Sequence, residues 1–244
     1  MRHSESVGET LKDWQSVARL IDHTLLKPDA TQDQIVQLCT EAAHYGFATV
    51  CVQPTWVEIA VRALVGTRVK VGTVIGFPHG ATFAAAKKLE AEQALRMGAR
   101  ELDVVINVGA LKSGNRKLVR DDLQAVVEIA HAEGALVKAI LETSLLTTDQ
   151  KIAACQLGLA AGVDFVKTAT GFSGGGATIQ DVMLLRATVG SNAGVKASGG
   201  IRTAADLRNM VLAGANRIGT SAGVQILREF GAPAYAAAPS PAAC

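Results

Sequence analysis

A glycine recurs along this chain at the seam between an amphipathic stretch and a short apolar one, at positions 46, 98, 134, 162, 194 and 214. Each sits where the carboxyl end of a helix favours a left-handed residue, and a strand-like run follows within a few residues. Threonines stand where helices should begin, Thr31 ahead of a helix from Gln32 to His44 and Thr203 ahead of one to Ala213. The runs expected as strands are Arg19 to Thr24, Ala48 to Gln53, Val69 to Phe77, Glu101 to Val108, Leu136 to Glu142, Asp164 to Thr170, Val195 to Ser198 and Arg217 to Ser221. Strands alternating with helices require a parallel sheet, because each helix carries the chain back to the starting edge. About eight such units fit a closed (β/α)₈ TIM barrel, a single α/β domain over residues 17–230. An open doubly wound sheet is the rival, but no G-x-G-x-x-G follows the first strand. Residues 1–16 read as a polar lead-in, helical at its end, and the Ala/Pro-rich residues 231–244 as a disordered tail.

Composition narrows the function classes. Lys plus Arg number 24 against 22 Asp plus Glu, and aromatic residues make up 4%. That balance gives neither the basic surface nor the stacking platforms that nucleic acid requires. No run approaches the roughly 18 apolar residues of a membrane span, and the polar start lacks the apolar core of a signal peptide. Cys39, Cys51, Cys155 and Cys244 form no C-x-x-C pair, which fits a reducing cytoplasm better than a disulfide framework. His3, His23, His44, His79 and His131 show no metal-ligand spacing, so neither metal nor cofactor is expected.

A strand period of two sorts the later strands into faces. Leu102, Val104 and Ile106 oppose Glu101, Asp103 and Asn107; Val137, Ala139 and Leu141 oppose Lys138 and Glu142; Val166 opposes Lys167; Val195 and Ala197 oppose Lys196 and Ser198. Barrel strands turn their apolar face to the helices, so the charged set points inward and Asp103, Lys138, Lys167 and Lys196 converge. Lys138, Lys167 and Lys196 are each 29 residues from the next, as expected for equal heights in successive units. A single interior lysine is readily explained by a structural ion pair. Three lysines beside one aspartate leave an excess of positive charge that a purely structural network would avoid.

A site that holds one lysine neutral resolves that conflict. An ordinary lysine carries a free amine in only about one molecule in 2,500 at neutral pH. Burial beside a second cation increases that fraction, and the neutral amine is then a nucleophile toward carbonyl carbon, forming a Schiff base. On spacing alone, Lys167 and Lys196 could exchange the parts of nucleophile and perturbing cation. Glycine-rich loops follow the last strands, at Gly171 to Gly176, Gly199-Gly200 and Gly219-Thr220-Ser221. Such loops cradle phosphate through backbone N–H groups at the mouths of barrels, with Thr220 and Ser221 adding hydroxyls. Asp22 and Thr24 alternate on the first strand toward the same mouth. Cys51 reads as a small buried thiol or as part of the site wall. Thr170, Gly171, Gly199, Gly200, Gly219, Thr220, Ser221, Lys138, Asp22, Thr24 and Cys51 are the expected substrate contacts.

At these residues the chain resembles the deoxyribose-phosphate aldolase family, class I aldolases, in its short bacterial type. The likeness is carried by Leu20-Ile21-Asp22-His23-Thr24-Leu25-Leu26, Glu101-Leu102-Asp103-Val104-Val105-Ile106-Asn107, Phe165-Val166-Lys167-Thr168-Ala169-Thr170-Gly171-Phe172 and Gly194-Val195-Lys196-Ala197-Ser198-Gly199-Gly200-Ile201-Arg202. It runs from about Leu20 to about Leu227. The resemblance implies a (β/α)₈ barrel that reversibly cleaves 2-deoxyribose 5-phosphate to glyceraldehyde 3-phosphate and acetaldehyde. It also implies that Lys167 forms the Schiff base, Lys196 lowers its pKa and Asp103 relays protons through water. Some members carry a lysine after the glycine of the phosphate loop, where this chain has Phe172, so phosphate binding rests more on backbone donors here. Phosphosugar and aldehyde substrates, a cytoplasmic location and compatibility with a homodimer complete the expectation. The rivals are another phosphosugar barrel enzyme, transaldolase-like or an isomerase, and a non-catalytic phosphosugar-binding protein.

Overall fold

The computed structural model describes residues 11–235. The first ten residues of the expected lead-in, with His3, and residues 236–244 of the expected tail, with Cys244, lie outside the described residues. A short helix α1 (Trp14–Ala18) leads into β1 (Ile21–Leu25), and the order continues α2 (Gln32–Tyr45), β2 (Thr49–Val52), α3 (Val57–Ala63), β3 (Lys70–Ile75) and α4 (Ala84–Arg96). Then come β4 (Glu101–Val105), α5 (Val108–Lys112), α6 (Arg116–Ala132), β5 (Leu136–Ile140), α7 (Thr148–Ala161) and β6 (Phe165–Lys167). The chain closes with α8 (Ile179–Val189), β7 (Gly194–Ser198), α9 (Ala204–Leu212), β8 (Arg217–Thr220) and α10 (Gly223–Glu229). All eight strands pair in parallel in chain order, and β8 pairs back onto β1, which closes the barrel.

The helices start where side chains can satisfy orphan backbone donors. Thr31, Thr147 and Thr203 each cap a helix in a reciprocal box with Gln34, Gln150 and Asp206. The strand residues facing the helices, among them Leu102, Val104, Val137, Val166, Val195 and Ile218, have no solvent exposure. They form one continuous core with the inner helix faces. Each fully buried aliphatic side chain there contributes about 1.5–3 kcal/mol, so Val166→Asp would break the layer behind β6. Among the described residues no helix is long and apolar enough to cross a membrane.

Several local expectations change, among them the sixth strand, which ends at Lys167 and not at Thr170. The fourth strand stops at Val105, because the Asn107 side chain accepts from Ala110 N–H at 2.9 Å and starts α5; Val108 therefore belongs to a helix. Gly194 opens β7 and caps nothing; α8 ends at Gly190, whose φ is +57°. Position 194 needs glycine for another reason: a Cβ there would lie 2.2 Å from the Phe165 ring. Lastly, the segment after Gly231 is packed as far as Tyr235. Tyr45 Oη donates to the Pro233 carbonyl at 2.9 Å, and the Tyr235 ring lies 5.1 Å from that of His44.

Candidate active site

The inward faces of six strands assemble a buried charge network. Asp103 on β4 is in register with Lys138 on β5, and Lys167 on β6 with Lys196 on β7. Asp103 Oδ2 accepts from both Lys167 Nζ and Lys196 Nζ at 2.7 Å, while its Oδ1 accepts from Lys138 Nζ at 2.8 Å. The four residues singled out by strand parity thus meet at one carboxylate. Lys196 also pairs with Asp22 Oδ2 at 2.5 Å, and Lys138 with Glu101 Oε2 at 2.6 Å. Arg217 Nη1 bridges Asp22 Oδ1 at 2.7 Å and Glu101 Oε2 at 2.8 Å. Four cations therefore face three carboxylates, and the excess inferred from three lysines and one aspartate shrinks to a single charge.

Room for Lys196 comes from β8: a Cβ on Gly219 would lie 2.9 Å from Lys196 Cε, so only glycine lets that side chain pass across the barrel. Above the network opens a cavity of about 230 Å³ at the carboxyl ends of the strands, with Lys167 in its floor. Thr24, Thr170, Gly171, Gly199, Gly200, Gly219, Thr220 and Ser221 line it, as the sequence suggests. Asp22, Lys138 and Cys51 do not. Asp22 and Lys138 are held below by their ion pairs, and Cys51 is buried in an inner apolar cluster with Leu26 and Val74.

Geometry and electrostatics separate the two central lysines. Burial and then the neighbouring Lys196 cation push the Lys167 amine below the ordinary lysine range, although Asp103 pulls the other way. Burial also disfavours charge on Lys196 and Lys138, but Asp103 together with Asp22 outweighs it and holds both ammonium groups above that range. Asp103 and Asp22 lie well below ordinary carboxyls, the surrounding cations overriding the effect of burial. Burial raises the Cys51 thiol, which leaves it a poor nucleophile. Of the three lysines in the network, Lys167 is therefore the one that reaches the cavity and is most easily deprotonated.

The hydroxyls at the mouth are less free than the sequence suggests. Thr220 Oγ1 donates to the Ile201 carbonyl at 2.7 Å, Thr24 Oγ1 to the Asp22 carbonyl at 2.8 Å, and Thr170 Oγ1 to the buried Glu142 carboxylate. Those protons are spent on the protein itself. Five functional candidates go beyond the expected site residues, although strand parity sets Glu101 and Glu142 on the inner face. Lys27 and Arg202 line the cavity. Glu101 and Arg217 complete the network beneath, and Glu142 tethers the loop after β6. Glu142 stands at φ +55°, the one such non-glycine among the described residues. A larger hollow of about 1050 Å³ lies at the amino ends of β6 to β8. Its arginine, Arg186, is already committed to the carbonyls of Gly190, Ala193 and Gly214.

Residues 16–230 match the family model described as DeoC/LacD family aldolase. A deoxyribose-phosphate aldolase of Geobacillus sp. (strain WCH70) is 58% identical over 212 residues, 87% of this chain and 95% of that one. The enzyme of the same name from Streptococcus pneumoniae serotype 2 is 60% identical over 210 residues, 86% and 94% of the two chains. Among solved structures, the tetrameric deoxyribose phosphate aldolase from Aeropyrum pernix superposes with a TM-score of 0.87 at 35% identity, covering 94% of this chain and 97% of that one. With residues 16–230 matched by that model and eight strands closed into a barrel, this chain belongs to the DeoC/LacD aldolase family.

Proposed function

We propose that this protein is a deoxyribose-phosphate aldolase, a class I aldehyde-lyase that reversibly cleaves 2-deoxyribose 5-phosphate to glyceraldehyde 3-phosphate and acetaldehyde. The observation that carries the reading is the Lys167 amine in the cavity floor, sharing one Asp103 oxygen with Lys196. The neutral Lys167 amine adds to the C1 aldehyde of the open-chain sugar, and loss of water from the carbinolamine gives an iminium. Removal of the C3 hydroxyl proton breaks the C2–C3 bond. Its electron pair moves into the iminium, leaving an enamine on Lys167 and releasing glyceraldehyde 3-phosphate. Protonation of the enamine carbon and hydrolysis then free acetaldehyde and regenerate the amine. Asp103 is the group placed to pass protons through water to and from the reacting atoms. Lys196, kept charged by two carboxylates, disfavours a second charge on Lys167.

The phosphate end of the substrate meets backbone N–H groups of the Gly171, Gly199-Gly200 and Ser221 turns, with Lys27 and Arg202 supplying charge at the rim. Phe172 takes the place of a further cation and packs edge-on against Phe77 at 5.2 Å between ring centres. The protein acts in the cytoplasm in this reading. Borohydride reduction in the presence of acetaldehyde tests it: a stable ethyl adduct on Lys167, with cleavage of 2-deoxyribose 5-phosphate unaffected by chelator, is expected. An unmodified Lys167, or activity lost to chelator, would overturn it.

A further inference from the structure

The ion pairs beneath the cavity close on themselves. From Asp103 the contacts run to Lys138 (2.8 Å), Glu101 (2.6 Å), Arg217 (2.8 Å), Asp22 (2.7 Å), Lys196 (2.5 Å) and back to Asp103 (2.7 Å). Charge alternates around this ring, three carboxylates with three cations; every member touches at least two of opposite sign, and Lys138 also lies 3.8 Å from Asp22 across it. Lys167 stands outside it as the seventh group, attached through Asp103 alone. Glu101 and Arg217 are the first residues of β4 and β8, at the amino ends of the strands, and neither lines the cavity.

We propose that Glu101 and Arg217 are positioning residues for the aldolase reaction. By closing a neutral ring they fix Asp103 and Lys196 against Lys167 and leave Lys167 as the single unbalanced cation of the barrel. Without Arg217, Asp22 and Glu101 would share only Lys196 and Lys138, and the ring would carry a net negative charge that favours an ammonium at Lys167. Without the Glu101 charge, the ring would be net positive and the free amine would be favoured further. The groups facing Lys167 are Asp103 from β4, Lys196 from β7 and Cys51 from β2. Asp22, Lys138, Glu101 and Arg217 stand behind them, β3 offers the apolar Val74, and Glu142 beyond β5 is bound to Thr170. Asp22, Glu101, Asp103, Lys138 and Lys196 are buried, where such charges are weakly screened, and Arg217 is partly exposed at the amino end of β8.

This inference rests on the Schiff-base reading, and the test keeps the two apart. The rate of borohydride trapping of acetaldehyde is followed against pH in the parent, in Glu101→Gln, in Arg217→Gln, in the double variant and in Arg217→Lys. Trapping rises with pH as the Lys167 amine is freed. Its acid limb should move down by about one pH unit in Glu101→Gln and up by about one in Arg217→Gln. It should return to the parental position in the double variant and stay there in Arg217→Lys. A purely structural role would lower stability and rate in each single variant without displacements of opposite sign, and that result overturns the proposal. Should a single variant yield too little folded protein, the double variant, whose ring is again neutral, must fold and titrate as the parent does. A double variant that unfolds or titrates elsewhere overturns it equally. An untrapped parent would instead refute the Schiff-base reading itself.

Discussion

Two places in this molecule bury lysine completely, and they do so to different ends. Between the barrel and its helices, Lys87 on α4 donates to the Val105 carbonyl at 2.8 Å and pairs with Asp122 on α6. Burial pushes the lysine down and the aspartate up, each toward its uncharged form, with each other's charge resisting. Cation and carboxylate are matched one to one, and Lys87 is sealed from solvent against Gly76, where a Cβ would lie 2.7 Å from its Cε. Inside the barrel, Lys167 is buried to a similar degree, but four cations meet three carboxylates and the odd one opens onto a cavity. Burial perturbs both lysines. Surplus charge and access to a ligand are what separate a reactive amine from a clamp.

Exchanging residues in each place sharpens that contrast. The largest effect is expected from Lys167→Ala, which should lower cleavage of 2-deoxyribose 5-phosphate by about 10⁴-fold or more and abolish trapping of acetaldehyde. Its thermal midpoint should stay near the parent's, because Asp103 keeps Lys138 and Lys196. Lys87→Met should do the converse. It leaves Asp122 buried and unpaired and costs about 3–5 kcal/mol of stability in denaturant titration, with kcat per folded molecule retained. Equal losses of activity in the two variants would erase the distinction. Lys196→Leu removes the cation that opposes charge on Lys167, so the acid limb of the rate profile should move to higher pH. At neutral pH about 100-fold of activity should be lost, most of it recovered in alkali. The smallest change is Phe172→Lys, which adds a half-screened charge at the rim. It should lower KM for the phosphorylated sugar about 3- to 10-fold and leave unphosphorylated 2-deoxyribose unaffected.

Much of this was legible in the chain itself, for reasons that also mark where reading stops. Strand parity sufficed to bring Asp103, Lys138, Lys167 and Lys196 together, because a barrel interior tolerates charge only on one face. Parity applied to the last strand would equally have put Arg217 inside with Gly219, and it had already set Glu101 on the inner face. Their partnership stays hidden because it joins residues 116 apart in sequence. Hydroxyl groups were the poorest guide. Thr24, Thr170 and Thr220 all reach the cavity wall, yet the direction of an O–H depends on which carbonyl or carboxylate lies within reach, and no spacing rule encodes that. Helix ends fared unevenly for a related reason. Gly46 and Gly162 are left-handed caps, whereas Gly194 is glycine because an aromatic ring from the neighbouring strand occupies the space a side chain would need.

The packing of Pro233 and Tyr235 has a practical corollary. Helix α2 runs back from the mouth, so its last turn, with His44 and Tyr45, marks the rim at the amino ends of the strands, and the chain reaches Tyr235 against that rim. A tether grafted at Tyr235 would anchor the barrel by its base. A bead or electrode carrying it there would display the entrance outward to dissolved aldehydes.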